Sequence, residues 1–430
     1  MKVLKILFSI VFALLMMLPN ITLADDKKGG TEGEEYDAGA TAFHHIADAN
    51  VYSIGPWPSL QIPLPCFLYD KDSGELSSFM SSKFHIHDSH GNGTHAYKGY
   101  VLNGGTVMKI KNPTSEMMSG IQVAKEGDHH PFHSRKDKIM VDDKEKEKTV
   151  YYFEHEGKKY DLVKKSTLDG GMFGGGLTSF YDFSITKNVV SMFIVALLLL
   201  WIFISIANTY KRNVGKAPSG KQGFFEPMFV FIQDEVAKPF LGDKWKKYLP
   251  FLLTLFFFIL GLNLWGQVPF FGGSNVTGNL AFTAVLAIVA FFVVNLSGNK
   301  HYWEHVLWMP GVPAWLKVLI LTPVEIAGLF IKPVTLMLRL FANITAGHIV
   351  IVIFMSLIFI FKDMVSSYKE ITAWGSALVS IGLTLFMMTI ELLVAFIQAF
   401  VFTILTAAYI SAAIEDGHHG EHEEAHAHAH

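Results

Sequence analysis

Apolar positions are spread along the chain in two different ways. Up to about residue 180 they come in short stretches broken by Gly, Pro, Asn and Asp, whereas from about residue 189 they merge into long uncharged runs. Five runs, about Val189 to Ala207, Tyr248 to Val268, Leu280 to Leu296, Leu316 to Phe361 and Ala373 to Ala413, are apolar enough to cross a bilayer as helices. The last two, at roughly 45 and 40 residues, exceed the roughly 20 residues that a perpendicular crossing needs. The fourth carries Pro333, so it must be broken there, strongly tilted, or both. The predicted fold is an all-α multi-pass membrane protein with about five membrane helices, the last two long and strongly tilted.

The first part of the chain has a different character. Met1 to Ala24 has a short basic start at Lys2 and Lys5, an apolar core from Ile6 to Leu18 and small residues near Ala24, which reads as a signal peptide, a retained anchor helix being the alternative. Residues 25 to about 35 are polar and Gly-rich. From about 43 to 165 the pattern predicts a small β-rich domain, with Tyr97 to Lys109 forming two strands around an Asn103-Gly104 turn. Gly170 to Gly176 reads as a flexible hinge. The expected domains are therefore 1–24, signal peptide; 25–180, a partly β extracytoplasmic extension; 181–415, the membrane domain; and 416–430, a His-rich disordered tail.

Lysines follow the first membrane segment, precede the second and follow the third, which places those ends in the cytoplasm. The mature amino terminus then lies outside and the carboxyl tail inside, as a signal peptide requires. An amphipathic helix is expected on the cytoplasmic face from Phe224 to Lys238.

Net charge is small, −3, which gives no reason to expect nucleic acid as a partner. Cys66 is the sole cysteine, which excludes an intrachain disulfide and a thiolate metal site and leaves a packed thiol. His85 and His87 are expected on one face of a strand with His90 nearby, and His129, His130 and His133 form a second group; both could hold a metal or simply be solvated. The one HExxH pattern, His422 to His426, falls in the low-complexity tail, so a metal hydrolase is disfavoured and no cofactor is implied.

The chemistry sits within the last two apolar runs. Arginine keeps its proton at any useful pH, and near the bilayer centre it costs roughly 2.5–3.5 kcal/mol on insertion scales. Yet Arg339, one of only three arginines with Arg135 and Arg212, lies inside the fourth run together with Asn343 and His348, and the fifth run carries Glu391 and Gln398. An ionisable group at membrane depth points to function. If the two runs pack antiparallel, Arg339 comes level with Gln398 and His348 level with Glu391. His348 and Glu391 can then act as an acid–base pair, or serve as a polar contact between helices. Arg339 is a fixed charge that relays no proton itself. Glu325, fourteen residues before Arg339, could line a separate path on the cytoplasmic side or be an interfacial residue.

These residues also resemble a known family. Lys332 to Asn343 (KPVTLMLRLFAN) followed by Gly347-His348, then Gln398 to Thr406 (QAFVFTILT), with Phe183 to Asn188 and Asn263 to Pro269 (NLWGQVP) upstream, are similar to the a subunit of F-type ATP synthases over roughly residues 180 to 415. The resemblance implies a proton-conducting stator subunit that is not itself catalytic, in the bacterial inner membrane. It would work against a ring of c subunits, beside b-type peripheral stalk subunits and the remainder of the ATP synthase. It implies that Arg339 is the stator arginine, Asn343 and Gln398 its polar partners, His348 and Glu391 the entry half-channel pair, and Glu325 the exit-channel acid. One departure stands out: the family often has an acid just after the Asn-Leu of the second crossing, and here Gly266 takes that place. The alternative reading is an ion-coupled secondary transporter or stand-alone channel, against which no internal repeat is apparent.

Overall fold

The computed structural model describes residues 48–415 apart from 55–60, 87–90, 124–131, 142–143, 166–179, 216, 269–273, 309–314, 316 and 365–368. Side chains are described except at 136–149, 348, 355–378 and a few isolated positions. The expected signal peptide, glycine hinge and His-rich tail lie outside the described residues, as do His87, His90, His129 and His130. The chain divides into two compact units, one mainly Asp48–Lys187 and the other mainly Asn188–Pro269 with Gly273–His430.

The first unit is β-rich, as its broken apolar pattern predicts. Its strands are β1 (Val51–Ser53), β2 (Gln61–Pro63), β3 (Pro65–Asp70), β4 (Leu76–Met80), β5 (His95–Ala96), β6 (Tyr100–Asn103), β7 (Thr106–Ile110), β8 (Ile121–Gln122), β9 (His133–Val141), β10 (Lys144–His155), β11 (Lys158–Val163) and β12 (Phe180–Asp182), with a short helix α1 (Ser115–Ser119). Five strands form an antiparallel sheet in the order β6-β7-β11-β10-β9, and three form another in the order β12-β3-β4. The β6–β7 hairpin is buried on both faces. Tyr100, Leu102 and Val107 join one apolar cluster with Cys66, Leu68 and Phe84, while Val101, Met108 and Ile110 join another with Met117 and Phe153. This follows from the period-2 alternation of a strand.

Two local expectations shift. Asn103 pairs with Thr106, so the turn is Gly104-Gly105 rather than Asn103-Gly104. Both glycines have positive φ, 54° and 74°, as a two-residue hairpin turn of this hand requires. His85 is not on a strand: it closes the 3₁₀ turn Ser81–Phe84 in the left-handed region, at φ 48°. Its ring instead lies against that of His95, with centroids 4.1 Å apart. Among the described residues, no group of three His, Cys, Asp or Glu side chains could hold a metal ion.

The second unit is helical: α2 (Lys187–Arg212), α3 (Lys221–Ile232), α4 (Lys238–Leu241), α5 (Trp245–Gln267), α6 (Leu280–Ser297), α7 (Lys300–Trp308), α8 (Thr322–Met364) and α9 (Lys369–Ile414). Five helical spans are long and apolar enough to cross a membrane: Lys187–Arg212, Lys221–Gln267, Leu280–Ser297, Leu319–Ile351 and Val379–Ile414. The expectation of a break at Pro333 is not met, because α8 runs on through it. Proline at membrane depth is tolerated where neighbouring groups absorb the lost hydrogen bond.

The core of this unit is built on α5, whose Leu252, Phe256 and Ile259 pack with Ala399, Phe402 and Ile410 of α9, Leu336 and Leu340 of α8, and Ala290 of α6. Along α9 the inward stripe is small and polar as much as apolar: Ala395, Ala399, Thr403, Thr406 and Ala407 are all fully buried. Small residues let helices approach closely where no hydrophobic force drives them together. The two threonine hydroxyls donate to their own helix, at Ala399 and Phe402. The end of α9 is capped from two sides, since Lys244 Nζ and Asn299 Nδ2 both donate to the Ile414 carbonyl, at 3.1 and 2.9 Å. A cation there suits the helix dipole. This contact brings the start of α5, the end of α6 and the end of α9 to one side of the bundle.

Candidate functional site

The site lies where α8 and α9 run antiparallel and α5 backs α9. Polar side chains belong there only if they are satisfied or used, because an unpaired polar group in an apolar setting is costly. Glu391 is 4% exposed and Gln398 2%, so both are buried within the bundle. Asn343 Nδ2 donates to Gln398 Oε1 at 2.9 Å, joining α8 to α9. The Gln398 Nε2 group has no acceptor among the described residues. One turn further along α8, the backbone of Gly347 faces Glu391, and a Cβ at position 347 would lie 3.1 Å from Glu391 Oε1.

The backbone register is the expected one, with Gly347 facing Glu391, but one side-chain contact is shifted by a turn. Gln398 meets Asn343, not Arg339. The cause is the direction of helical side chains, which tilt toward the start of their own helix. From α9 that tilt carries the long Gln398 side chain toward the α8–α9 connection, hence toward higher numbers on α8. The helix position of His348 is beside Gly347, in register with Glu391 as expected, while its side chain lies outside the described residues.

Arg339 is exposed on the surface of α8, and among the described residues it has no ion pair or hydrogen bond. It is not buried in its own chain, as an arginine within an apolar run might suggest. On its own face of α8 the exposed neighbours are polar or small, Lys332, Thr335, Ala342, Asn343 and Ala346, while elsewhere on the span large apolar side chains such as Val334 and Leu338 are exposed. Asn343 lies about 6 Å from the arginine along the axis.

Glu325 lies about 21 Å from Arg339 along α8. It is half-buried, and its negative charge, after burial, pushes the phenol of Tyr302 on α7 above the usual tyrosine range. Tyr302 donates to Asn295 Oδ1 at 3.2 Å. Asn295, Tyr302, Lys332 and Tyr409 line a cavity of about 20 Å³, room for about one water. The Lys332 ammonium stands over the Tyr409 ring, 5.5 Å from its centroid.

Two further polar residues act from α5. Asn263 Nδ2 donates to the Ala395 carbonyl at 3.2 Å, and Gln267 Nε2 to the Glu391 carbonyl at 3.0 Å. The sequence singled out their stretch only by its resemblance. Amides one turn apart near the end of an apolar run were the available signal, but their target is backbone, which no pattern of side chains marks. Gly347, Asn295 and Tyr302 were likewise missed.

Antiparallel membrane helices with a carboxylate and amides buried between them, and a lone exposed guanidinium beside them, define a multi-pass membrane protein with a charged intramembrane site. A family model described as ATP synthase A chain matches residues 189–411, more than half of the chain, and another, described as a domain of unknown function, matches residues 41–169. ATP synthase subunit a of Chloroherpeton thalassium is 41% identical over 252 residues, 58% of this chain and 72% of that protein. Its counterpart in Myxococcus xanthus is 36% identical over 261 residues, 59% of this chain and 81% of that protein. The chain belongs to the ATP synthase A chain family.

Proposed function

We propose that the chain is the proton-conducting stator subunit of a rotary ATP synthase, not itself catalytic, working against a ring of c subunits with membrane carboxylates. Family membership supports the role, and the single observation that carries the residue assignment is Arg339, an exposed charge within an apolar span that has no ion pair or hydrogen bond among the described residues. Left to lipid, that charge would be costly. Set against a passing carboxylate it is stabilised, and it holds that carboxylate ionised. The same positive charge repels a proton that would otherwise leak straight across.

On one side of Arg339, Glu391 and His348 form the entry pair that hands protons to the ring, with Asn343 and Gln398 as polar partners between pair and arginine. The Nε2 donor of Gln398, without an acceptor among the described residues, is buried and open only to an enclosed water. On the other side, Glu325, with Tyr302 and Asn295 near it, forms the exit path. The two 33- and 36-residue apolar spans of α8 and α9 exceed the bilayer core and lie tilted along the ring.

The protein spans the bacterial inner membrane. Residues 1–24 are a signal peptide, the β-rich extension (25–180) is extracytoplasmic, and the tail after residue 415 is cytoplasmic. The peripheral stalk, built of b-type subunits, holds this stator still. The entry pair is tested by proton uptake in reconstituted vesicles. Glu391→Gln and His348→Ala each slow uptake at least about tenfold, as expected for loss of a proton-transfer group, and the exchange Glu391→His with His348→Glu recovers part of it. Equal damage from the exchange and the single variants would rule out a shared relay.

A further inference from the structure

Asn263 and Gln267 stand one turn apart on α5, and the carbonyls they bind, Ala395 and Glu391, stand one turn apart on α9. Four residues forward on one helix match four residues back on the other, so the two amides form consecutive rungs of one antiparallel register. The lower rung is sealed: Asn263 is 2% exposed and Ala395 0%. At these rungs Ala395 and Ala399 are small, and beside them Phe396 packs edge-on to Phe256 of α5. Apolar packing is non-directional, so it leaves small rotations and slides of α9 open. Two directed hydrogen bonds to its backbone remove that freedom.

We propose that Asn263 and Gln267 are positioning residues that set the rotation and depth of α9, and so aim Glu391 and Gln398 at α8. This rests on the proton-path reading of Glu391 given above. The bonds go to the backbone of the segment that carries the proton-handling side chains, and one of them ends on Glu391 itself. The demand on aim is high, since Gly347 leaves only 3.1 Å between a would-be Cβ and Glu391 Oε1. Displacement by about 1 Å of a group in a reacting array can cost about a hundredfold in rate. The amide at 267 serves not as a proton carrier but as a donor to backbone.

The test uses the whole ATP synthase reconstituted in liposomes, with assembled complex quantified and proton-driven ATP synthesis followed from pH 6 to 9. Asn263→Leu and Gln267→Leu remove the donors at similar volume, and each is expected to lower synthesis at least about tenfold. Asn263→His and Gln267→His keep an N–H at the same reach and are expected to recover to within about threefold of the native rate. Gln267→Glu separates positioning from proton carriage. Ionised, it cannot donate, so at pH 9 it is expected to match Gln267→Leu. Protonated, it can donate, so its activity rises as pH falls. Near-native synthesis by Gln267→Glu at pH 9, or by both leucine variants, would overturn the proposal. Should the leucine variants fail to assemble, equal rates for Gln267→His and Gln267→Glu at pH 9 would overturn it as well. Full activity of Glu391→Gln, by contrast, would defeat the proton-path reading and not the rungs.

Discussion

Arg339 and Asp70 show how differently a charge behaves in the two units. Asp70 has its partners within reach: Lys109 Nζ donates at 2.8 Å, the Asp72 N–H at 3.1 Å and the Ser73 hydroxyl at 3.0 Å. Burial alone would raise its pKa, but these bonds outweigh burial and hold the carboxyl below its ordinary 3.8. A carboxyl whose folded pKa is depressed stabilises the fold above its unfolded value and loses that contribution as pH falls through the folded one. Hydrogen exchange of the β3–β4 segment, corrected for intrinsic rates, should therefore lose protection as the pH falls below 3.8. Lys109→Met should lower protection at pH 6 and leave less to lose in acid; an unchanged acid response in that variant would show the bridge to be idle. Arg339 has no such partner among the described residues. At this scale the sequence was most legible. A guanidinium, a carboxylate and two amides stand out in apolar runs because each is costly there. Gly347 did not stand out, because a glycine in an apolar helix marks nothing until the opposite side chain is known.

At the scale of elements, the antiparallel pair α8–α9 and the backing helix α5 turn isolated polar residues into a site. Gly347 makes a close approach to α9 in that pair. Gly347→Ala would put a methyl 3.1 Å from Glu391 Oε1, forcing the carboxyl aside by a few tenths of an ångström, and Gly347→Val would force it further. ATP-driven acidification of inverted vesicles should fall several-fold in the alanine variant and more in the valine variant; native rates with valine would contradict the close approach. Helix existence and extent were readable from apolar run length, and the antiparallel pairing followed from the short link between α8 and α9. The level of Gly347 and His348 with Glu391 is as counted, and only the partner of Gln398 is one turn off, because counting residues treats side chains as level with their Cα atoms, which their tilt forbids. The fourth run was read as broken at Pro333, strongly tilted, or both; the break does not occur, as α8 passes through Pro333. The turn at Gly104-Gly105 and the left-handed His85 depended on pairings and local conformations that apolar alternation leaves undetermined by a residue.

At the scale of the whole molecule, a β-rich unit precedes a membrane unit, and the second carries the family likeness. The caps on Ile414 from Lys244 and Asn299 gather three helix ends on one side. The polar groups fall on either side of Arg339 along α8, Asn343 and the Glu391 contact ahead of it and Glu325 behind. A device that moves protons through two offset paths needs that order, with a fixed charge between them that only a moving carrier can pass. The claim rests on that charge. Proton-driven ATP synthesis by the reconstituted complex carrying Arg339→Ala is the direct measurement. The account predicts that synthesis is abolished while the complex assembles normally, and coupled synthesis at the native rate would contradict it.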